Sequence, residues 1–180
     1  MEISHRRLPH IYGIEQPIFV TFRLYGTLPV GREFPKDDMT SGEAFVAMDS
    51  LLDTARFGRV DLKRLDVAGL VRGCIEHCAQ ADCEMHAWVI MPNHVHLLFT
   101  AHGDVSRLMR RLKGYSARQA NQLLGRTGQP FWQDESYDRL VRTGEEFRRI
   151  ERYIVNNPVK AGLVESIEKY PWSSASATGD

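Results

Sequence analysis

The sequence predicts an α+β fold in which helices pack on an antiparallel β-sheet. Apolar residues alternate with period two at Ile18–Leu24, Glu84–Met91 and His94–Thr100, and segments of helical period separate them. The resulting order is β, α, α, β, β, α, β, α. Consecutive strands in such an order are close enough to pair antiparallel, which predicts a sheet with its helices on one side.

The first strand, "IFVTFRLYG" from Ile18, sets Phe19, Thr21 and Arg23 on one face and Ile18, Val20, Phe22 and Leu24 on the other. "GTLPVGREFPKDD" is loop-like in its Gly, Pro and Asp. In "SGEAFVAMDSLLDTARFG", Phe45, Met48, Leu51 and Leu52 recur at helical spacing behind a cap signal at Ser41. A second helix is predicted from Asp66 to about Gln80. The two strands "EMHAWVIM" and "HVHLLFT" meet at Pro92-Asn93, and because proline excludes positive φ the connection is not a primed hairpin turn. The longest helix spans Asp104 to about Leu124, with Leu108, Leu112, Tyr115, Gln119 and Gln122 on one track, and "GRTGQP" ends it. A short strand lies in "FWQDESYDRLVR". The last helix, in "GEEFRRIERYIVNNPVKAGL", is expected to stop near Asn157 because of Pro158.

A chain of 180 residues, 43% hydrophobic and 26% charged, is suited to a single domain over residues 1–180, with a core at about 15–165 and a tail at 166–180. No apolar run reaches the length of a membrane span, and "MEISHRRLPH" lacks the apolar centre of a secretory signal, so a cytoplasmic protein without a membrane partner is expected. Cys74, Cys78 and Cys83 crowd into ten residues without zinc-ribbon spacing and read as packed thiols in a reducing compartment. Net charge is zero, yet Ala101–Lys160 carries 12 Lys and Arg against 7 Asp and Glu, leaving 11 against 16 elsewhere. That contrast fits either one positively charged face or a solvated surface.

"MPNHVHLLF" carries the most specific chemistry. His94 and His96 are i and i+2 on a strand and project from one face, while Val95, Leu97 and Phe99 enter the other. Two convergent imidazoles suit one divalent metal, and the alternative is a pair of core histidines each satisfied by a hydrogen bond. In "ERYIVNNPVKAGLV", Tyr153 and Asn157 are i and i+4, with Arg149 one turn earlier and Phe147, Ile150 and Ile154 on the neighbouring apolar stripe. From spacing alone the better reading is Tyr153 as an amphipathic border residue and Asn157 as a C-terminal helix stop before proline.

"MPNHVHLL", "LKGYSARQANQLLGRTGQPFWQDESYDRLVR", "YIVNNPVKAGLV" and "YPWSSAS", with "LPHIYGIEQPIFVTFRLYGTLP" before them, resemble the REP-associated tyrosine transposases, relatives of the IS200-like single-tyrosine HUH transposases. The resemblance covers nearly the whole chain and is weakest from Pro29 to Gln80. It implies a ferredoxin-like HUH nuclease domain, a divalent metal held by His94, His96 and Asn157, and Tyr153 as the nucleophile. It further implies cleavage and rejoining of single-stranded DNA at REP-type hairpins through a 5′-phosphotyrosine, by a monomer, with a homodimer as the alternative. Two imidazoles and an amide oxygen suit Mn²⁺ and tolerate Mg²⁺, with Zn²⁺ as the alternative. Tyrosine, with a pKa of about 10, requires such a cation and nearby arginines to be an effective nucleophile.

Arg107, Arg110, Arg111 and Arg118, together with Arg149, are the candidate phosphate contacts. Tyr115 on the most basic helix is the chief rival nucleophile; its track with Leu108 and Leu112 reads instead as core or as a base-stacking platform. Tyr137 and Tyr170 have no metal-ligand partner at helical spacing, and Trp132 and Trp172 read as core or base-stacking residues. Three functions are compatible with the sequence. A DNA-nicking strand transferase requires Tyr153, a DNA-binding protein without catalysis requires neither the tyrosine nor the metal, and a phosphoesterase using activated water requires only the histidines. The tail "YPWSSASATGD" is a candidate cover for the site.

Overall fold

The structure, a computed structural model, describes residues 15–28, 40–54 and 58–176. The beginning of the N-terminal motif, most of the loop after Gly26 and the last four residues of the tail lie outside these. Strands β1 (Pro17–Arg23), β2 (Cys83–Ile90), β3 (His94–Ala101) and β4 (Tyr137–Leu140) form one antiparallel sheet in the order β2-β3-β1-β4. Helices α2 (Leu65–Ala81) and α3 (Val105–Leu123) are the two crossovers of a ferredoxin-like arrangement. Helices α1 (Ser41–Asp53) and α4 (Gly144–Lys160) add to it. The α+β class and the inner position of the histidine strand are as expected.

The helices do not keep to one side. Val67, Val71 and Ile75 of α2 and Leu108 and Leu112 of α3 pack on Ile18, Val20, Phe22, Val95, Leu97 and Phe99. Phe45 of α1 and Ile150 and Ile154 of α4 pack on the opposite face with Phe19, Val89 and Leu98. That second face carries the histidines together with an apolar patch of Phe19, Ala87, Val89 and Leu98, which needs cover as well.

Several local readings change. The cap of α1 is Thr40, not Ser41. Thr40 and Glu43 form a reciprocal capping box, in which the Glu43 N–H donates to Thr40 Oγ1 at 3.3 Å and the Thr40 N–H to Glu43 Oε2 at 2.9 Å. On α3 the buried track runs through Leu108, Leu112, Ser116 and Ala120, and Tyr115 is 49% exposed instead of in the core. A small residue is required at Ser116 because Trp132 occupies that space, its Nε1–H donating to Ser116 Oγ at 2.9 Å. Helix α4 passes through Pro158 and stops one turn later at Gly162, φ +71°. There Gly162 N donates to Val159 O at 3.0 Å and Leu163 N to Pro158 O at 2.9 Å, a Schellman closure. Asn157 is thereby a full helical residue, not a helix stop.

Pro92 and Asn93 both keep negative φ, and the β2–β3 turn closes through Met91 N to His94 O at 2.8 Å. Up to Ser176, the described part of the tail runs along β2. Trp172 O accepts from Ile90 N at 2.8 Å and Ser174 N donates to Trp88 O at 2.9 Å, so the tail shields the outer edge of β2. Cys74, Cys78 and Cys83 are free and buried, and burial pushes the Cys74 thiol up to about 11 and the Cys83 thiol up to about 12. Among the described residues no helix is long and apolar enough to cross a membrane.

Phe99 is fully buried at the centre of the α2/α3 face. Phe99→Ala is expected to cost about 3–5 kcal/mol in urea unfolding. Glu146 ties the start of α4 to β4, accepting from Arg139 Nε at 2.7 Å and from Arg142 N at 3.1 Å. Burial alone would raise its carboxyl, but these donors outweigh burial and hold it below the usual value. Its contribution is present above the unfolded pKa of about 4.3 and lost as pH falls through the lower folded value. Glu146→Gln should therefore be less stable than the unaltered chain at pH 7 by roughly 1–2 kcal/mol. In urea melts the gap should close as pH drops below about 4.

Candidate metal centre and tyrosine site

The β1–β3 register sets Thr21 opposite His96 and Arg23 opposite His94. Each imidazole is anchored through Nδ1, His96 to Thr21 Oγ1 at 2.6 Å and His94 to Asn93 Oδ1 at 2.7 Å. Asn93 is itself fixed by donating its Nδ2–H to Leu52 O of α1 at 3.0 Å. With Nδ1 engaged, Nε2 is the nitrogen left to act as ligand on both rings. Phe19 stacks on the His96 ring at 5.7 Å between centroids and braces it from the side.

Both Nε2 atoms converge on Asp49 of α1. Asp49 Oδ1 lies 3.4 Å from His94 Nε2 and 3.1 Å from His96 Nε2. The other carboxylate oxygen accepts the Tyr153 hydroxyl proton and stands 3.3 Å from Asn157 Nδ2. Asn157 Nδ2 is also 3.3 Å from His96 Nε2. Asp49, His94, His96 and Asn157 are all fully buried, whereas Tyr153 is half-buried. Lys160 places Nζ 5.3 Å from the Tyr153 ring centroid and 3.7 Å from Asp53 Oδ2.

Burial keeps His94 in its neutral form, the form that binds metal. Burial would also raise Asp49, but the closeness of the two imidazoles, His96 first, outweighs it and holds the carboxyl well below the usual range. Asp53, one turn further on α1, is pushed up to about 6, by burial first and then by the Asp49 charge.

Among the described residues, Asp49 Oδ1, His94 Nε2 and Asn157 Oδ1 are buried without a hydrogen-bond partner. Buried polar atoms are almost always satisfied, so three such atoms in one place point to a cation-binding site. The spacing also fits one. Ligand atoms about 2.1 Å from a common ion are about 3.0–3.4 Å apart at octahedral or tetrahedral angles, and the carboxylate-to-imidazole separations are 3.1 and 3.4 Å. Asp49, His94 and His96 thus form a donor set for a divalent metal. Asn157 turns its nitrogen, not its oxygen, toward this centre, and a half-turn of the amide exchanges the two.

The structure therefore brings together His94, His96, Tyr153 and Asn157. Exposed Arg149 lies one turn before Tyr153 on α4. Arg107, Arg110, Arg111 and Arg118 are exposed on α3 and lie across the sheet from the histidines, because α3 packs on the Val95, Leu97 and Phe99 face. Arg111 pairs with Asp82, and the Arg118 guanidinium is 5.7 Å from the Tyr115 ring centroid. The rival tyrosines are engaged elsewhere: Tyr137 stacks on Phe45 at 4.4 Å and the Tyr170 hydroxyl donates to Ile90 O at 2.8 Å.

Sequence reasoning missed Asp49, Asn93, Thr21 and Lys160. Asp49 had a detectable signal, since it is i+4 from Phe45 and i−3 from Leu52 and so places a carboxylate on the apolar face of its helix.

The family described as "Transposase IS200 like" matches residues 66–157, just over half of the chain. The chain belongs to this IS200-like transposase family. The matched window contains His94, His96, Tyr153 and Asn157 and excludes α1 with Asp49. A REP-associated tyrosine transposase of Escherichia coli (strain K12) is 30% identical over 94 residues, 51% of this chain and 53% of that protein, so the match spans only about half of the relative's length. The solved structure of a REP-associated tyrosine transposase bound to a REP hairpin superposes with a TM-score of 0.56 at 20% identity, covering 98% of this chain and 84% of the other. At that identity the likeness speaks for the fold.

A donor set of this kind should make folding stability depend on metal. Mn²⁺ at about one hundred times its Kd is expected to add about 2.7 kcal/mol to unfolding. Thermal melts should show the gain reversed by a chelator and absent in His94→Ala.

Proposed function

We propose that this IS200-like transposase is a metal-dependent endonuclease and strand transferase for single-stranded DNA, with Tyr153 as its nucleophile. The observation that carries the reading is the convergence of the Tyr153 hydroxyl, the Nε2 atoms of His94 and His96, and the Asn157 amide on one carboxylate. A phenol beside a metal donor set suits phosphoryl transfer, in which the cation offsets charge that develops on phosphate.

His94 and His96, with Asn157, would hold Mg²⁺ or Mn²⁺, which when bound polarises a non-bridging oxygen of the scissile phosphodiester and offsets its developing charge. Tyr153 Oη attacks phosphorus, the P–O3′ bond breaks, and the products are a 5′-phosphotyrosine and a strand ending in a 3′-hydroxyl. Because one ester replaces another, a 3′-hydroxyl can reverse the step and reseal the strand without ATP. Thr21 and Asn93 hold the imidazoles in register, and Lys160 keeps a positive charge near the phenol.

The proposed DNA partner is a REP-like hairpin. This follows from the REP hairpin bound by the structural neighbour and the REP association of the curated relative. The α3 surface, with Arg107, Arg110, Arg111, Arg118 and exposed Tyr115, is basic and carries an aromatic face, as backbone contact and base stacking require.

The test is a nicking assay on a labelled hairpin oligonucleotide with Mn²⁺, read on denaturing gels. The unaltered chain is expected to give a protein-linked strand and Tyr153→Phe none. His96→Ala should slow adduct formation at least about 100-fold, corresponding to about 2.7 kcal/mol. An undiminished adduct in Tyr153→Phe would overturn the nucleophile assignment, and undiminished cleavage by His96→Ala in chelator would overturn the metal role.

A further inference from the structure

The site as folded has no place for its substrate. In-line attack brings phosphorus to within about 3–3.5 Å of the nucleophilic oxygen, with a non-bridging oxygen directed at the histidine nitrogens. Asp49 already occupies that position. One of its oxygens accepts the Tyr153 hydroxyl and the other faces both Nε2 atoms, while the Asn157 amide lies beside it. A carboxylate and a phosphodiester both present two anionic oxygens on one central atom, so each can bridge the phenol and the donor set, but not at the same time. The complete burial of Asp49, His94, His96 and Asn157 leaves no second route to them.

Helix α1, which brings Asp49, is an addition to the ferredoxin-like arrangement. It is held by Phe45 against Phe19 and Tyr137, by buried Leu52, by the Asn93 bond to Leu52 O and by the Asp53–Lys160 pair. Among the described residues no backbone–backbone hydrogen bond joins α1 to the sheet, so it can swing out without breaking any strand pairing.

Resting on the nuclease reading above, we infer that Asp49 is a built-in stand-in for the scissile phosphate, so that α1 closes the site until a DNA phosphate displaces its carboxylate. In the closed state Asp49 completes the metal donor set and holds the phenol. In the open state the phosphate takes both places, and Asn157 remains beside the histidines. Apparent DNA affinity is then lowered by the fraction of molecules that are closed.

The experiment compares the unaltered chain with Asp49→Ala and Asp49→Asn at saturating Mn²⁺. It reads anisotropy of a labelled single-stranded oligonucleotide, the rate of adduct formation, and amide hydrogen exchange across the chain. If the closed state dominates by about ten to one, Asp49→Ala should bind the oligonucleotide about tenfold tighter and form adduct faster. Asp49→Asn should change in the same direction. In the unaltered chain, bound oligonucleotide should speed exchange in α1 and leave α4 unchanged. If the unaltered chain forms adduct while Asp49→Ala, folded and still binding Mn²⁺, forms it more slowly without tighter binding, the displacement fails and Asp49 is a standing ligand. If neither the unaltered chain nor the variants form adduct, the nuclease reading falls and this inference with it.

Discussion

Everything at the site depends on how two imidazoles are fixed at Nδ1. A histidine offers a metal one nitrogen, and which one is set by the hydrogen bond made by the other. Thr21 on β1 and Asn93 in the β2–β3 turn supply those bonds. Both are placed by strand pairing, since Thr21 is the cross-strand neighbour of His96 and Asn93 precedes the first residue of β3. A slip of one residue between β1 and β3 would remove Thr21 from His96 and turn the histidines into the α2/α3 core. The sheet therefore specifies ligand chemistry as well as shape.

The division of the helices follows from the same register. Inward positions of β3 toward α2 and α3 are Val95, Leu97 and Phe99, an apolar surface on which the crossovers pack. The alternate positions carry His94, His96 and Leu98, and the cover there comes from helices that bring polar groups of their own, Asp49 from α1 and Asn157 from α4. Buried charge and buried imidazole face one another here, Asp49 Oδ1 lying 3.4 and 3.1 Å from the two Nε2 atoms. The basic surface of α3 lies across the sheet from the tyrosine. One face of the domain is thus basic, while the other holds the buried imidazoles, Asp49 and Tyr153.

Helix α4 unites these features in one segment. Its apolar stripe of Ile150 and Ile154 seats it, its next track carries Tyr153 and Asn157, and its last turn carries Lys160. The Schellman closure at Gly162 satisfies the final carbonyls after Pro158 has removed one helical donor, which keeps Asn157 inside the helix and its side chain pointed at the histidines.

By itself, the sequence determined what local periodicity encodes. The strand alternation put both histidines on one face, the i to i+4 spacing put Tyr153 and Asn157 on one track, and the turn and cap residues set most element boundaries to within a residue or two. The ordered motifs also determined the family. Only the tertiary structure decided that helices cover both faces, that Ser116 and not Tyr115 lies on the buried track of α3 with Trp132 against it, and that α3 lies across the sheet from the histidines. It alone placed Asp49 between Tyr153 and the imidazoles, for a physical reason. Periodicity reports which face of an element is buried, whereas the partner of a buried group 45 residues away is chosen by packing and by the need to satisfy every charge the fold removes from water.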